Sequence, residues 1–328
     1  MRNRIARAGK RRFIKGWLGA GLIAAAGLAL AAGGAEAETR ITYKSAKSTS
    51  SYYQMAVQVT EAVQQATDGA LQLTVEESQG SVQNVKEAAL REGNYVFTTP
   101  PVLINLAKGN KKMFEDGKDY ADIRALFVIP SLTMHYVVRA DAGIDSFQDL
   151  AGKDFIIGKG SFGAREAASN FEQFGVSPDL VDVELNSAGP ALQNGQVDGF
   201  ATAGSYPAPN VVEAAAGTPI KLLSMSEAQV ETTGRTRLVI PAGTYPGVDQ
   251  DTVTTSLPVG AYTTTAMDAE TAYRLTKAYW ESKPQMAKTA RWWDGVSPEM
   301  LATMAGPLHP GALRYYDEAG IAVPDALR

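Results

Sequence analysis

The chain has 328 residues, 45% hydrophobic and 20% charged, with a formal net charge of −4 at pH 7, no cysteine and two histidines. This composition describes a globular protein with a sizeable core and excludes a disordered or collagen-like chain. Without cysteine there is no disulfide framework, iron–sulfur cluster, zinc finger or thiol nucleophile, and His135 and His309 stand too far apart for a local two-histidine metal spacing.

Residues 1–37 read as a signal peptide. Basic residues from Arg2 to Lys15 precede an apolar run over 17–32, and Ala35-Glu36-Ala37 has the small-x-small form at which signal peptidase cuts, placing cleavage after Ala37. The run is short for a membrane span and nothing later supplies one, so the mature chain is expected without a span, exported to the periplasm. Arg11-Arg12 with Phe13 and Lys15 leaves both Sec and Tat export open. Cleavage removes a basic segment and leaves a more acidic chain, a sign that opposes nucleic acid as a partner.

Along the mature chain, residues 40–44 read as a strand, 52–67 as an amphipathic helix stopped by Asp68-Gly69, and 71–76 as the next strand, which makes one βαβ unit. A helix over 81–91 ends at Gly93, a short strand over 95–98 is broken by Pro100-Pro101, and 123–129 and 135–139 are two further strands. The pattern then restarts, with a strand over 155–157, a glycine-rich turn, a helix over 164–174 closed by Gly175 and a strand over 181–185. A strand over 197–201, a helix after Pro207 and a strand over 220–223 complete it, and 237–240 and 259–263 read as return strands. Beyond Asp268, an N-cap candidate, only helices are predicted, with Pro284, Pro298 and Pro310 each starting one.

This alternation predicts an α/β protein with largely parallel sheets, in two lobes of which the second is inserted in the first. The first lobe takes residues 38–137 and 256–328 and the second 138–255, with a hinge where the chain crosses near 136–141 and 237–255.

Gly158-Lys159-Gly160-Ser161-Phe162-Gly163 follows a strand and opens a helix, where free backbone N–H groups and the positive helix end can hold an anion. The same turn matches the dinucleotide fingerprint, with Asp182 in the place of a ribose acceptor, so an exported nicotinamide-dependent oxidoreductase is an alternative; a tight turn without ligand is another. The matching turn of the first lobe, Ser45-Ala46-Lys47-Ser48-Thr49-Ser50-Ser51, runs into Tyr52-Tyr53. If both turns border the interlobe crevice, their donors converge on one small anion. Lys47, Lys159 and Arg165 are the cations beside these turns, each equally compatible with a solvated surface role.

A third turn, Gln79-Gly80-Ser81-Val82-Gln83-Asn84, also leads into a helix, with Ser81 as its natural N-cap and Asn84 free to reach across a cleft. Enzyme templates fit poorly. There is no G-x-S-x-G and no P-loop lysine, and both histidines read as buried structural groups, so neither catalytic residues nor a cofactor or metal is expected.

Taken together these segments resemble the TAXI family, the extracytoplasmic solute-binding subunits of TRAP transporters. The resemblance rests on the turn before Tyr52-Tyr53, Gly80 to Asn84, Asp149-Leu150-Ala151-Gly152-Lys153, Gly158 to Gly163, Asp198-Gly199-Phe200 with Gly204-Ser205-Tyr206-Pro207, and Pro307-Leu308-His309-Pro310-Gly311-Ala312 with Tyr315-Tyr316 and Glu318. It implies a two-lobed periplasmic binding protein of the Venus-flytrap, type II-like kind, a monomer that closes on a small organic anion and delivers it to two membrane subunits.

Carried over onto this chain, the ligand turns are Ser45 to Tyr53, Gly80 to Asn84, Ser161 to Arg165 and Gly204 to Pro207, with Thr98 and Thr99 at a strand end facing the same crevice. Tyr52, Phe162 and Tyr206 would cover the apolar part of the ligand, and the segment Pro307 to Ala312 would be structural, packed on the first lobe. The chain departs from the family in one place, since hydroxyl side chains and Lys47 replace a glycine-rich turn before the tyrosine pair. Lys47 then points to a second carboxylate, hence a dicarboxylate or keto-diacid. A glutamate-like amino acid is the alternative and needs an acidic residue beside its ammonium, for which Glu76, Glu77 or Glu166 could serve. A sensor docking on a receptor would share the same binding chemistry.

Overall fold

The computed structural model describes residues 38–158 and 160–328; residues 1–37, read above as a signal peptide, and Lys159 lie outside the described residues. β1 (Thr39–Lys44), α1 (Ser51–Ala66) and β2 (Leu71–Glu76) form the first βαβ unit, with β1 and β2 parallel from Thr39↔Leu71 to Lys44↔Glu76. Tyr52, Met55, Ala56, Val59 and Val63 recur at helical spacing on α1 and are all buried, which is what fixes that helix to the sheet. Ser50 caps it, its hydroxyl accepting from Tyr52 N at 3.1 Å. α2 (Ser81–Ala88) stops short of the expected residue 91, and β3 (Tyr95–Thr99) pairs parallel with β1. Pro100-Pro101 does more than end that strand. Pro101 opens α3 (Pro101–Lys108), at a helix start where its missing N–H costs nothing.

The two strands expected over 123–129 and 135–139 are one, β4 (Ile123–Arg139). The intervening Pro130-Ser131-Leu132-Thr133 has the composition of a turn, yet Pro130, Leu132 and Thr133 are buried and the extended backbone continues through them. β10 (Thr252–Thr264) runs antiparallel beside β4 from Ser256↔Thr133 to Thr264↔Ile123, so the expected strand over 259–263 is only its second half. Between Leu257↔Leu132 and Val259↔Ile129 the register shifts, and Pro258 on one strand and Pro130-Ser131 on the other fall outside the pairing.

Between β4 and β10 lie β5 (Asp154–Ile156), α4 (Phe162–Gln173), β6 (Asp179–Leu180), α5 (Ala188–Gln193), β7 (Gly199–Gly204), α6 (Pro209–Gly217), β8 (Ile220–Leu222), α7 (Glu227–Thr233) and β9 (Thr236–Ile240). The expected strand over 181–185 does not form. β6 is a two-residue exposed edge strand with only the short β5 to pair with, and the chain turns at Leu185–Ser187. After β10, Asp268 caps α8 (Ala269–Thr289) by accepting from Thr271 N at 2.9 Å. Pro284 lies inside α8 instead of starting a helix, because Tyr279, Trp280 and Met286 are buried on either side of it and hold the helix together. Pro298 opens a short 3-10 segment and Pro310 opens α9 (Pro310–Glu318).

The strands form one sheet in the order β2-β1-β3-β10-β4-β7-β5-β6, with β8 also pairing with β4 and β9 with β10. Its flanks, β2-β1-β3 and β7-β5-β6, are parallel; the centre around β10 and β4 is antiparallel, so the expectation of largely parallel sheets holds only within each lobe. This is a two-lobed α/β architecture with the second lobe inserted: the chain leaves the first through β4 and returns through β10. The larger core gathers Tyr43, Phe97, Phe127, Tyr262 and Tyr279, and a smaller one in the second lobe gathers Phe200, Val211, Ile220 and Tyr245.

His309 N donates to Ala125 O at 2.8 Å and its ring Nε2 meets Met267 O at 2.9 Å, which seats the segment Pro307 to Ala312 on the first lobe as a structural element. Among the described residues no helix is long and apolar enough to cross a membrane.

Candidate functional site

The starts of α1, α2 and α4 meet around one cavity of about 80 Å³. Ser50 and Ser51 line it from the first, Gly80 and Ser81 from the second, and Ser161 to Gly163 from the third. The first N–H groups of a helix have no intrahelical acceptor, and that end carries partial positive charge, so three such ends on one cavity make a strongly donor-rich space. In α2 the N-cap is Gly80, at φ 115°, and not Ser81. Only glycine takes that backbone readily, and because no side chain caps this helix its first amides stay open toward the cavity. Ser81 stands one residue inside, its hydroxyl unbonded among the described residues. In α4 the Ser161 hydroxyl takes Ala164 N at 3.0 Å, leaving the amides of Phe162 and Gly163 without a helical acceptor.

The two lobes touch across this cavity. Ser205 N donates to Ser51 Oγ at 3.0 Å. A Cβ on Gly204 would lie 2.6 Å from Ser51 Oγ, and one on Gly80 would lie 3.6 Å from Ser161 Cβ. Two further bonds reach the central strands: Tyr52 Oη donates to Pro130 O at 3.0 Å and Ser205 Oγ donates to Ser131 O at 2.7 Å. These carbonyls belong to the residues that the register shift leaves outside the β4–β10 pairing. Burial pushes the Tyr52 phenol far above its usual range, against the opposing bond with Ser205, so it is a proton donor at any physiological pH.

Lys47 and Glu184 both line the cavity and face each other from opposite lobes, Nζ to Oε2 at 3.9 Å, each partly exposed. Asn210 and Thr202 complete the wall, with Asn210 Nδ2 donating to Thr202 Oγ1 at 3.0 Å.

Several expected site residues lie elsewhere. Ser45 is buried behind the turn, its hydroxyl donating to Tyr52 O at 2.8 Å, while Ser48 gives its amide to Glu77 at 2.6 Å, and neither lines the cavity; nor does Tyr53. Asn84 does not reach across a cleft. It is fully buried and donates to Ser45 O at 2.6 Å and Thr98 O at 2.9 Å, so it fastens the serine turn to β3. Thr98 and Thr99 are buried as well, their hydroxyls directed to Tyr43 Oη and Pro100 O at 3.4 Å each. Arg165 is exposed on α4, because the helix has already turned away from the cavity at that position. Tyr206 and Pro207 border a separate, larger cavity, whose wall also includes Ser205.

The carboxylates considered for an ammonium group are all engaged away from the site. Glu76 bonds Arg91 at 2.7 Å, which holds its carboxyl below the usual range; Glu77 is lowered by Ser48; Glu166 is clamped by Arg235 at 2.6 and 3.0 Å. Glu184 is the acid that does line the cavity, and nothing in its local sequence marks it. The cavity is also well below the roughly 300–1,000 Å³ of drug-sized pockets, which speaks against a dinucleotide at the glycine turn.

His135, read as structural, is buried, with Nδ1 at 3.1 Å from Thr133 O and Nε2 at 2.8 Å from Tyr245 Oη. Desolvation lowers its pKa to about 4, so the ring is neutral at physiological pH.

The fold has solved counterparts. A protein described as a periplasmic transporter is 16% identical, with 85% of this chain and 94% of that one covered at a TM-score of 0.54. MatC of Rhodopseudomonas palustris, solved with bound malate, is 12% identical over 86% and 96% at 0.55, and the periplasmic binding protein BugD is 10% identical over 87% and 99% at 0.55. At these identities the likeness establishes the fold, that of the two-lobed periplasmic binding proteins. A family model described as NMT1-like matches residues 44–320, most of the chain and every element that borders the cavity, and the protein therefore belongs to the NMT1-like family.

Proposed function

We propose that the protein is a TAXI-type extracytoplasmic solute-binding subunit of a TRAP transporter, which captures a small organic anion between its lobes and hands it to membrane subunits. The observation that carries this reading is the convergence of three helix N-termini and the hydroxyls of Ser51, Ser81 and Ser161 on one cavity. Amide and hydroxyl donors aimed at a common point recognise carboxylate oxygens without needing a full positive charge. The binding of malate by MatC, a protein of the same fold, supports an organic acid as cargo.

Within that class we favour a short dicarboxylate or keto-diacid. The cavity is small, which favours a short acid over a long one. One carboxylate would take the amides of α2 and α4, and the second would take Lys47 from Glu184. The lobes are those set out above, residues 38–137 with 256–328 and residues 138–255, and their closure is the activity. Ser51, Gly80, Ser81, Ser161, Phe162, Gly163 and Gly204 are the ligand-facing residues of this proposal.

One observation favours a second reading. Lys47 and Glu184 place opposite charges on the same cavity, a pair that suits a zwitterion such as a glutamate-like amino acid. Titration with four-carbon diacids and with glutamate, in the parent and in Glu184→Gln, separates the two. Loss of acidity at 184 preserves or strengthens diacid binding and weakens amino acid binding. No heat and no thermal shift with any carboxylate would overturn the proposal as a whole.

A further inference from the structure

A second cavity, of about 560 Å³, lies on the other side of the Ser51–Ser205 contact. We infer that it is a separate binding site for an apolar or aromatic monocarboxylate. This goes beyond the cargo reading and does not depend on it.

The two spaces share no lining residue. Ser51 and Tyr52 face the small cavity, Ser205 faces the large one, and the bonds from Ser205 to Ser51 and Ser131 close the wall between them. Tyr52 adds its own bond to Pro130 O, whose residue borders the large cavity. The walls of the large cavity are flat and apolar: Pro130, Tyr206, Pro207, Leu238, Pro241 and the ring of Trp292. Proline, tyrosine and tryptophan faces of this kind suit a ring or a branched hydrocarbon.

The ligand's charge follows from the rim. Arg291 is exposed on the rim of the cavity, and its guanidinium has no ion-pair or hydrogen-bond partner among the described residues. It can therefore take a carboxylate in a bidentate pair without first releasing another acid. Asp294 stands on the same rim and disfavours a second negative charge, which selects a monoanion over a diacid. Trp292 is held in place beside Arg291, its Nε1 donating to Gln58 Oε1 at 3.2 Å, and the neighbouring Trp293 uses the same acceptor at 2.7 Å. The rim is thus fastened to α1, the helix whose start lines the small cavity. Pro241 to Thr244 close the opposite side from the loop after β9.

The test uses 3-phenylpropionate as probe, with its uncharged amide and succinate as companions. Tryptophan fluorescence and calorimetry are expected to show saturable binding of 3-phenylpropionate with a Kd of about 1 mM or tighter. The amide should bind at least about tenfold more weakly, Arg291→Gln should lose about tenfold or more, and Trp292→Phe should remove the optical signal. Lys47→Met, a change in the wall of the small cavity alone, should leave 3-phenylpropionate binding intact, so failure of this site and failure of the cargo reading register separately. Absence of saturable binding, equal affinity for the amide, unchanged affinity in Arg291→Gln, or competitive displacement by succinate would each overturn the inference.

Discussion

Ser51 Oγ accepts a hydrogen bond from Ser205 N at 3.0 Å, joining residues far apart in the chain at the line where the two lobes meet. One partner opens α1 and the other follows the last residue of β7, so the bond ties the two lobes together.

Gly204 lies at this contact and has ordinary backbone angles, so alanine is conformationally acceptable there, but its Cβ would sit 2.6 Å from Ser51 Oγ. Gly204→Ala should therefore hold the lobes apart. Titration calorimetry is expected to show affinity for the cargo anion reduced by about tenfold or more, with little change in the melting temperature of the unliganded protein. Unchanged affinity would mean that closure at Ser51 is not part of capture.

Lys47 is released from Glu184 when a diacid enters, in the proposed arrangement. Lys47→Met should lower diacid affinity by about tenfold or more, whereas folding stability should hardly move, because the partly exposed pair contributes about 1 kcal/mol or less. Thermal shift with and without succinate reads both effects. A loss of stability without a loss of affinity would make Lys47 a structural residue.

The pair Glu166–Arg235 is of a different kind. The Glu166 side chain is 7% exposed and receives two bonds from Arg235, so Arg235→Met leaves a carboxylate buried without its partner. Discounted for the partly exposed guanidinium, the loss should be about 2 kcal/mol, or roughly 3 °C in melting temperature. Cargo affinity should stay at its parental value, since Glu166 does not line the small cavity.

The buried His135 gives stability a pH dependence of definite sign. Its folded pKa of about 4 lies below the ordinary 6.5, so the neutral ring is accommodated in full above pH 6.5. Between pH 6.5 and about 4 the unfolded chain takes up a proton that the folded protein refuses, and stability falls by about 3 kcal/mol before levelling off. His309, lowered chiefly by its own burial, acts in the same direction. Melting curves across this window should be flatter for His135→Gln than for the parent; an equal slope would assign the effect elsewhere.

The parts of this molecule legible in its sequence are those fixed by local chemistry. Serines before Tyr52 and Phe162 mark helix starts because a hydroxyl caps the nearest amides, and both starts do border the small cavity. Alternating strand and helix patterns likewise reveal the flanks of the sheet. What escaped depends on distant partners. Glu184 becomes a site residue only because the second lobe brings it to Lys47, and Asn84 proved a fastener because the carbonyls of Ser45 and Thr98 lie within its reach. Arg165 is adjacent to the site in sequence but not in space, since one more step around α4 carries it to solvent. The continuity of β4 was hidden by Pro130-Ser131, a dipeptide that ordinarily bends the chain and here stays extended inside the sheet.

That same stretch has a mechanical consequence. With Pro258 and Pro130 supplying no amide proton where the two long strands skip a step, the spine of the molecule has fewer ladder bonds to strain at that point and is compliant there. The oxygens left over are tethered by the hydroxyls of Tyr52 and Ser205, one from each half. Tyr52 and Ser205 therefore brace the spine at this point, one from each lobe, and removing either hydroxyl loosens it there.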